Sequence, residues 1–318
     1  MKLVLFGGAG HIGRALARNL DPDKYEIVVI TRNPIETNHV EWDGCTIGPW
    51  VSALEGADAV INLAGRRVHC RYNEANLREM MDSRVRSTEV IGDAIEACSI
   101  PPKVWLQSST ATIYQHTFGK ANDEISGVIG GSEQGAPAVW NFSIEIAKRW
   151  EQALFDAKTP STRRIALRSA IMMGVDRDSA FDIFSRLARL GLGGRLATGR
   201  QYVSWIHEVD FCRSIEFLLS HDELQGAINV ASPNPLPQVE FAAGLRRAWG
   251  VPFGLPATPW MIALGAWALN GDSELVLKSR RVVPTVMTEA GFQFEFPVWA
   301  DAAADLANRM EHPAGSHP

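Results

Sequence analysis

Cysteine is scarce in this chain of 318 residues, and no two of its cysteines lie close together. The four stand at Cys45, Cys70, Cys98 and Cys212. This spacing excludes a dense disulfide framework and the common zinc patterns, so no metal site is predicted, and a reducing compartment is indicated. Long apolar runs are also lacking, since none approaches the roughly 20 residues that a membrane-spanning helix requires.

Basic residues are not in excess. Thirty-six acidic side chains outnumber 31 basic ones, which gives a formal net charge of −5. General binding to nucleic acid or to acidic membranes needs a basic surface, so neither is expected as a partner. The segment Met1–Gly7 reaches glycine too early for a secretory signal. We expect a soluble, cytoplasmic protein that is a monomer or a homodimer.

Short, almost wholly apolar runs in the first half predict the buried strands of a parallel sheet. These runs are Leu3–Phe6, Glu26–Ile30, Ala59–Leu63, Val104–Gln107 and Arg164–Leu167, with a shorter candidate at Val40–Trp42. Segments with helical periodicity follow at Ile12–Asn19, Asn76–Cys98, Val139–Ala157 and Ala180–Leu190. The alternation predicts an α/β fold, a doubly wound parallel sheet with helices on both faces.

The second half is irregular and rich in proline, and it predicts a smaller, mostly helical lobe. Its predicted helices are Val209–Ser220, Gln238–Trp249 and Pro259–Leu269. We expect residues 1–170 to form the sheet domain, whose core also receives strands from about 164–232. Residues 171–318 should form mainly a substrate lobe and a C-terminal helical domain, with a disordered tail at His312–Pro318. The glycine-rich segment Ser126–Pro137 is either a loop that covers a ligand crevice or a merely flexible one.

Directly after the first strand, Gly7, Gly10 and Gly13 follow the pattern G-x-x-G-x-x-G. In such a turn the first glycine permits the tight bend, the second lets the backbone approach a pyrophosphate, and the third allows close packing of helix on strand. The helix start, with His11 and Ile12, presents free N–H groups to the anion. No side-chain chemistry is assigned to His11. A glycine turn alone is weak, but its place between strand and helix predicts a Rossmann-type dinucleotide site.

The second strand ends in Thr31-Arg32-Asn33 rather than in an acidic residue. An arginine there can clamp a 2′-phosphate, which a carboxylate would repel, so we predict NADP(H) in preference to NAD(H). The alternative for Arg32 is a solvated surface side chain. Asp43 is a candidate contact to the adenine amino group or a solvated loop carboxylate. The cofactor crevice should also be lined by Leu63, Ala64 and Gly65.

Longer segments of the sequence make the resemblance to known proteins more specific. They are Val60–Gly65, Ser83–Thr88, Gly199–His207, Asn229–Pro235, Arg281–Pro284 and Glu289–Phe294. Together with the glycine turn, they resemble the atypical extended short-chain dehydrogenase/reductases, the NAD-dependent epimerase/dehydratase family proteins with a small C-terminal domain of unknown function. The resemblance covers Lys2 to Leu306. It implies a nicotinamide cofactor and a substrate crevice between the sheet and the C-terminal lobe.

The resemblance also implies a catalytic serine or threonine together with a Tyr-x-x-x-Lys pair. Thr110 stands at the serine/threonine position and Lys148 at the lysine position, where it would hold the nicotinamide ribose. The tyrosine position is Ile144, and none of the four tyrosines has a lysine four residues later. The alternative for Lys148 is a solvated lysine that pairs with Glu145.

Several residues are candidates to supply the missing chemistry. Tyr114, four residues beyond Thr110, is either a displaced proton donor or a packing residue. His207 is a candidate acid or base, although a lone histidine is more often structural. The resemblance places Arg200, Gln201 and Ser204 beside the substrate.

Two functions of different class remain open. The first is an NADP(H)-dependent oxidoreductase or epimerase-like enzyme that acts on a small carbonyl or sugar-type substrate. The second, favoured by Ile144, is a catalytically silent regulatory protein or sensor that binds NADP(H).

Overall fold

A computed structural model describes residues 1–68, 70–133, 137–268 and 274–312. Its strands are β1 Lys2–Phe6, β2 Glu26–Thr31, β3 His39–Glu41, β4 Ala59–Asn62, β5 Val104–Thr110, β6 Arg163–Ser169, β7 Ile171–Met173, β8 Tyr202–Val203, β9 Trp205–His207, β10 Gly226–Val230 and β11 Leu236–Pro237. Its α-helices are α1 His11–Asn19, α2 Glu74–Glu96, α3 Ala138–Asp156, α4 Ala180–Arg189, α5 Glu208–Ser220, α6 Gln238–Ala248, α7 Pro259–Ala268, α8 Glu274–Leu277, α9 Thr285–Glu289 and α10 Trp299–Glu311. Short 3₁₀ helices lie at Pro49–Ala53 and Ala111–Ile113.

Seven strands form one parallel sheet in the order β10-β6-β5-β4-β1-β2-β3. The chain winds outward in both directions from β1, so the order reverses between β1 and β4, where a crevice opens at the carboxyl ends of the strands. This is the predicted Rossmann-type doubly wound α/β fold, and it is confirmed. The predicted helices and strands of the first half are all present, with ends that move by at most a few residues.

The apolar strands divide their side chains between two cores. In β1, Leu3 and Leu5 belong to the core on one face of the sheet, whereas Val4 and Phe6 belong to the core on the other. This alternation follows from the two-residue repeat of a strand, and all four residues are fully buried. The almost continuous apolar run was therefore the correct signal for a strand that is covered on both faces.

The second half contributes a third core, built by α4, α6 and α10. Trp299 lies at its centre, stacked on Phe241 at 4.2 Å between ring centroids, and its indole N–H donates to the Phe241 carbonyl at 2.8 Å. The lobe also carries the two-stranded pairings of β7 with β9 and of β8 with β11. β10 returns to the main sheet from inside the range that was predicted to supply further strands, and the domain division near residue 170 stays a prediction.

Several elements were not predicted. α8, α9 and α10 were missed, as were the short strands β7, β8, β9 and β11. The predicted helix Pro259–Leu269 is present as α7, but Leu269 lies outside the described residues, as do 134–136 of the glycine-rich segment and 313–318 of the tail. Among the described helices, none is both long and apolar enough to cross a membrane.

Candidate functional site at the carboxyl edge of the sheet

The three glycines of the motif, Gly7 and Gly10 before α1 and Gly13 inside it, have different surroundings. Gly7 has a φ of +71°, and a Cβ there would come within 3.0 Å of the Ala64 backbone. A Cβ on Gly13 would lie 2.0 Å from the carbonyl oxygen of Gly8. Gly10 is not confined in this way, because its φ is −77° and a Cβ would meet only the Gly7 carbonyl, at 3.4 Å. The protein itself requires glycine at 7 and 13, whereas the space beside Gly10 is open to a ligand.

The start of α1 offers unpaired N–H groups to that space. No side chain caps Gly10, no acidic residue lies in the first turn, and the Arg14 N–H makes the first helical bond, to the Gly10 carbonyl at 3.0 Å. The N–H groups of His11, Ile12 and Gly13 precede that bond and carry the partial positive charge of a helix start. The His11 ring accepts a hydrogen bond from Arg14, and burial lowers its pKa, so the ring is neutral near pH 7.

Arg32 follows β2 as an exposed side chain. Within the described part of the chain, it forms no hydrogen bond or ion pair, so its guanidinium is available. Thr31 beside it is buried, and its hydroxyl accepts from the Asn33 N–H at 3.4 Å. The Asp43 carboxylate is committed to its own turn: the Thr46 hydroxyl and two backbone N–H groups donate to it and lower its pKa to about 2. Its predicted contact with adenine stays a prediction.

The loop after β4 is held beside Gly7 by a buried amide pair. Asn62 donates to the Gln107 side chain at 3.0 Å and accepts from the Ala64 N–H at 2.9 Å. Further along, a Cβ on Gly65 would come within 3.3 Å of the Arg84 side chain, which is buried beneath the loop. The predicted crevice residues Leu63, Ala64 and Gly65 therefore lie at the switch point, next to the glycine turn.

Thr110 and Lys148 both lie at the β5 side of this edge. Thr110 ends β5, and its hydroxyl accepts from the Thr112 N–H at 3.1 Å. Lys148 lies on α3, and none of the described residues accepts a hydrogen bond from its ammonium. Glu145 pairs with Arg149 at 2.7 Å instead, so the alternative pair with Lys148 is not formed.

Ile144, at the tyrosine position, is covered by the loop before α3. It is only 1% exposed, and a Cβ on Gly130 would come within 2.7 Å of both its terminal carbon and a carboxylate oxygen of Glu133. The Glu133 carboxylate holds this loop, because it accepts from the Gly131 N–H at 2.6 Å and from the His116 N–H at 3.2 Å. An apolar side chain under a closely packed loop leaves this position without acid or base.

Tyr114 is buried, so its phenol is not open to a ligand. It is 2% exposed, its hydroxyl donates to Asn229 at 2.9 Å, and Arg168 donates to that hydroxyl at 3.0 Å. Burial raises the pKa of the phenol. Glu151 holds the same arginine through two hydrogen bonds, of 2.8 and 2.9 Å. The geometry therefore gives Tyr114 a packing role, the alternative named from the sequence.

His207 is the N-terminal cap of α5, and this placement argues against a role as acid or base. The side chain is fully buried, its Nδ1 accepts from the Val209 N–H at 3.1 Å, and its Nε2 lies 3.0 Å from an Asp305 oxygen. Because Nδ1 is an acceptor, the proton of the neutral ring is on Nε2, which donates to Asp305. Burial lowers the pKa of the ring to about 4.

Two of the three predicted substrate residues are buried. Gln201 and Ser204 hold α8 and the segment after it: the Gln201 amide donates to the Val276 carbonyl at 3.3 Å, and the Ser204 hydroxyl donates to the Arg280 carbonyl at 2.8 Å. This geometry gives both a structural role rather than a free face toward a substrate. Arg200 is exposed and stays a predicted substrate residue.

Comparisons with known proteins agree with this geometry. The sequence profile of the NAD dependent epimerase/dehydratase family matches residues 3–128, and that of a domain of unknown function (DUF1731) matches residues 260–306. The epimerase family protein SDR39U1 of Bos taurus is 30% identical over 305 residues, which cover 93% of this chain and 96% of that protein. The chain belongs to this epimerase family.

Other members and solved structures extend the likeness. The epimerase family protein YfhF of Bacillus subtilis is 27% identical over 93% of this chain and 94% of its own length. A crystal structure of human SDR39U1 (isoform 2) with NADPH superposes with a TM-score of 0.84 at 27% identity, over 97% of this chain and 99% of that one. A UDP-N-acetylglucosamine 4-epimerase from Bacillus cereus shares the fold, with a TM-score of 0.74 at 17% identity over 98% of this chain and 99% of that one.

One group of polar residues near the family's tyrosine position was missed from the sequence. Lys278 and Arg280, from the segment after α8, both bind Thr112: the Lys278 ammonium donates to its carbonyl at 2.9 Å, and the Arg280 guanidinium donates to its hydroxyl at 3.1 Å. Glu274 lies 3.5 Å from Arg280 and accepts from the Ser143 hydroxyl at 2.6 Å. The only hint in the sequence was the basic run at residues 278–281, which is more often a solvated surface.

Proposed function

We propose that the chain binds NADP(H) and is an oxidoreductase or epimerase-like enzyme that acts on a small carbonyl or sugar-type substrate. The observation that carries the proposal is the glycine turn, where Gly7 and Gly13 are required by the protein and Gly10 leaves open space before an uncapped helix. A dinucleotide pyrophosphate fits such a site, because it needs close backbone approach and free N–H groups.

The other cofactor contacts follow from the same edge of the sheet. Arg32 would pair with the 2′-phosphate, and this is the basis for NADP(H) over NAD(H). Lys148, which has no described partner, would hold the nicotinamide ribose. That the human relative was crystallised with NADPH supports this assignment.

The reaction class depends on what the chain places beside the nicotinamide end. Bound NADP(H) would supply or accept a hydride. Thr110 is the residue that would hold the substrate oxygen, since it ends β5 at the crevice. Because no tyrosine occupies position 144, the proton would come from another side chain or from water.

The first test is a parallel titration of the protein with NADPH and NADH, followed by nicotinamide fluorescence, for the native chain and for Arg32→Asp. We expect NADPH to bind more tightly than NADH. Arg32→Asp should weaken NADPH at least roughly 30-fold, because loss of one partner of a charge pair costs about 2 kcal/mol or more. NADH affinity should change little.

Arg86→Asp is the matched control, since it reverses the same charge on an exposed arginine of α2 whose Asp82 contact is long, at 3.9 Å. This variant should bind NADPH as the native chain does. If neither nucleotide binds the native chain, the glycine turn is architectural and the proposal fails. Equal binding of both nucleotides would overturn only the role of Arg32.

A regulatory protein or sensor that binds NADP(H) without turnover is the second candidate function, and Ile144 favours it. The two candidates differ in whether bound NADPH is consumed. A panel of aldehydes, ketones and nucleotide sugars, followed by loss of nicotinamide absorbance, separates them. Consumption with any substrate class supports the enzyme, and binding without consumption supports the sensor.

A further inference from the structure

We propose that Lys278 is the proton carrier of this site, in place of the hydroxyl of the missing tyrosine. This inference rests on the proposed oxidoreductase function and assigns one step of it. In the direction of reduction, the carbonyl carbon of the substrate would gain the hydride that bound NADPH supplies, and the C=O π pair would move to the oxygen. That oxygen takes a proton from Lys278 as one N–H bond breaks, and the neutral amine then regains a proton from water.

The first argument is the state of the ammonium itself. Lys278 is 2% exposed, and the only hydrogen bond that its ammonium makes within the described part of the chain goes to the Thr112 carbonyl. No carboxylate of the described residues lies within ion-pair distance of it. A buried ammonium with two uncommitted N–H donors is costly, and such groups are usually satisfied by a ligand or by water.

The second argument is position. Thr112 lies between Lys278 and the predicted substrate anchor, because its N–H donates to the Thr110 hydroxyl while its carbonyl accepts from the Lys278 ammonium. Glu133, which lies against the covered Ile144, is one of the charges that act on Lys278. The amine is therefore connected to Thr110 through Thr112.

The third argument is acidity. Burial lowers the pKa of Lys278 to about 8, and the neighbouring charge of Arg280 adds to the effect, while Glu274 and Glu133 oppose it. At neutral pH the group is mostly protonated, yet it can give up its proton, which suits general acid–base catalysis.

Three other ionisable groups of this region are worse donors. Burial alone would raise the pKa of Glu133, but hydrogen bonds from Gly131 and His116 hold it below the usual value, so this carboxylate carries no proton. Burial and the charge of Lys278 lower the pKa of His116, whose Nδ1 accepts from the Ser279 N–H at 2.7 Å. Arg280 does not give up its proton near neutrality.

The kinetic test uses Lys278→Met and Lys278→Arg with a carbonyl substrate from the NADPH panel. Both variants should lose turnover by about 10²–10⁴-fold, the usual contribution of a positioned acid. Arginine keeps a cation for the Thr112 carbonyl but cannot donate its proton, so Lys278→Arg should not restore turnover.

For the native chain, kcat/KM for reduction should fall tenfold per pH unit above about 8. Lys103→Met, at an exposed ion pair with Asp58, is the control and should keep native turnover.

A second readout does not depend on turnover. In the protein with ¹³C-labelled lysine, one Cε signal, absent from Lys278→Met, should titrate near pH 8, while other lysines titrate near pH 10.4. Lysine signals that all titrate above about pH 9.5 would overturn the proposal, as would an active Lys278→Arg.

NADPH binding is measured for every variant. Failure of the native chain to bind NADPH or to consume it overturns the oxidoreductase and the proton carrier together, whereas native turnover in Lys278→Met overturns the proton carrier alone.

Discussion

At the scale of single residues, the three glycines of one motif serve different needs, and the structure shows what surrounds each of them. Gly7, Gly10 and Gly13 were read from the sequence as one motif, and the physical reason given for each was general to such turns. The structure shows that the backbone of the protein crowds positions 7 and 13 but not position 10. A substitution at Gly10 should therefore affect the ligand, and one at Gly13 should affect the protein.

Gly10→Ala should keep the native free energy of unfolding to within about 1 kcal/mol, because its Cβ meets only the Gly7 carbonyl, at 3.4 Å. It should weaken NADPH binding at least tenfold, since the methyl group enters the space assigned to the pyrophosphate. Gly13→Ala should cost about 1–3 kcal/mol of stability, as its Cβ would lie 2.0 Å from the Gly8 carbonyl oxygen. Urea unfolding and nicotinamide fluorescence measure the two effects. Native NADPH affinity in Gly10→Ala would remove the pyrophosphate from this turn.

At the scale of elements, a helix or a strand could be predicted where its own sequence showed a local hydrophobic pattern. The strands of the sheet were predicted because burial on both faces makes them apolar throughout, as in β1 and β4. β7 and β9 are three residues each and pair only with one another, so no periodicity marks them. α10 did carry a pattern, since Trp299, Ala302, Ala303 and Leu306 share its buried face, but it was overlooked. The side-chain partners of the site were not predictable, because they join segments far apart in the chain.

Tyr114 illustrates this limit, because its hydroxyl connects the segment after β5 to β6 and β10 through Arg168 and Asn229. Tyr114→Phe should cost about 1–3 kcal/mol of unfolding free energy, since the buried Asn229 oxygen loses its donor. Turnover of any substrate that the native chain reduces should change less than about threefold, as expected for a residue that makes no transition-state contact.

The contrasting variant is Thr110→Val, which should abolish that turnover while leaving NADPH binding intact. Chemical denaturation measures the free energy of unfolding of each variant, and initial rates measure its turnover. A loss of rate in Tyr114→Phe comparable to that in Thr110→Val would restore the tyrosine as a proton donor.

At the scale of the whole molecule, charged and polar contacts connect the C-terminal helix α10 to α1 and α5. Glu208, fully buried at the start of α5, accepts from Arg18 of α1 at 3.0 Å and from Arg309 of α10 at 2.6 Å. Beside it, His207 caps α5 and donates to Asp305 of α10. The family comparison could place the C-terminal domain but not these contacts, which add to the apolar packing of α10 in the third core.

The buried His207 makes the stability of this assembly depend on pH. Its pKa is about 4 in the folded chain and near 6.5 when unfolded, so between these values the unfolded state binds a proton that the folded state does not. The contribution of the neutral, buried ring to the free energy of unfolding is fully present above pH 6.5. It is lost as the pH falls toward 4, by up to about 3 kcal/mol.

His207→Asn keeps an N-cap acceptor for the Val209 N–H and removes this titration. The difference in unfolding free energy between the native chain and the variant, from urea denaturation, should therefore shrink as the pH falls from about 7.5 to about 4.5. A difference that grows with falling pH would mean that pairing with Asp305 outweighs burial and that the folded ring is protonated.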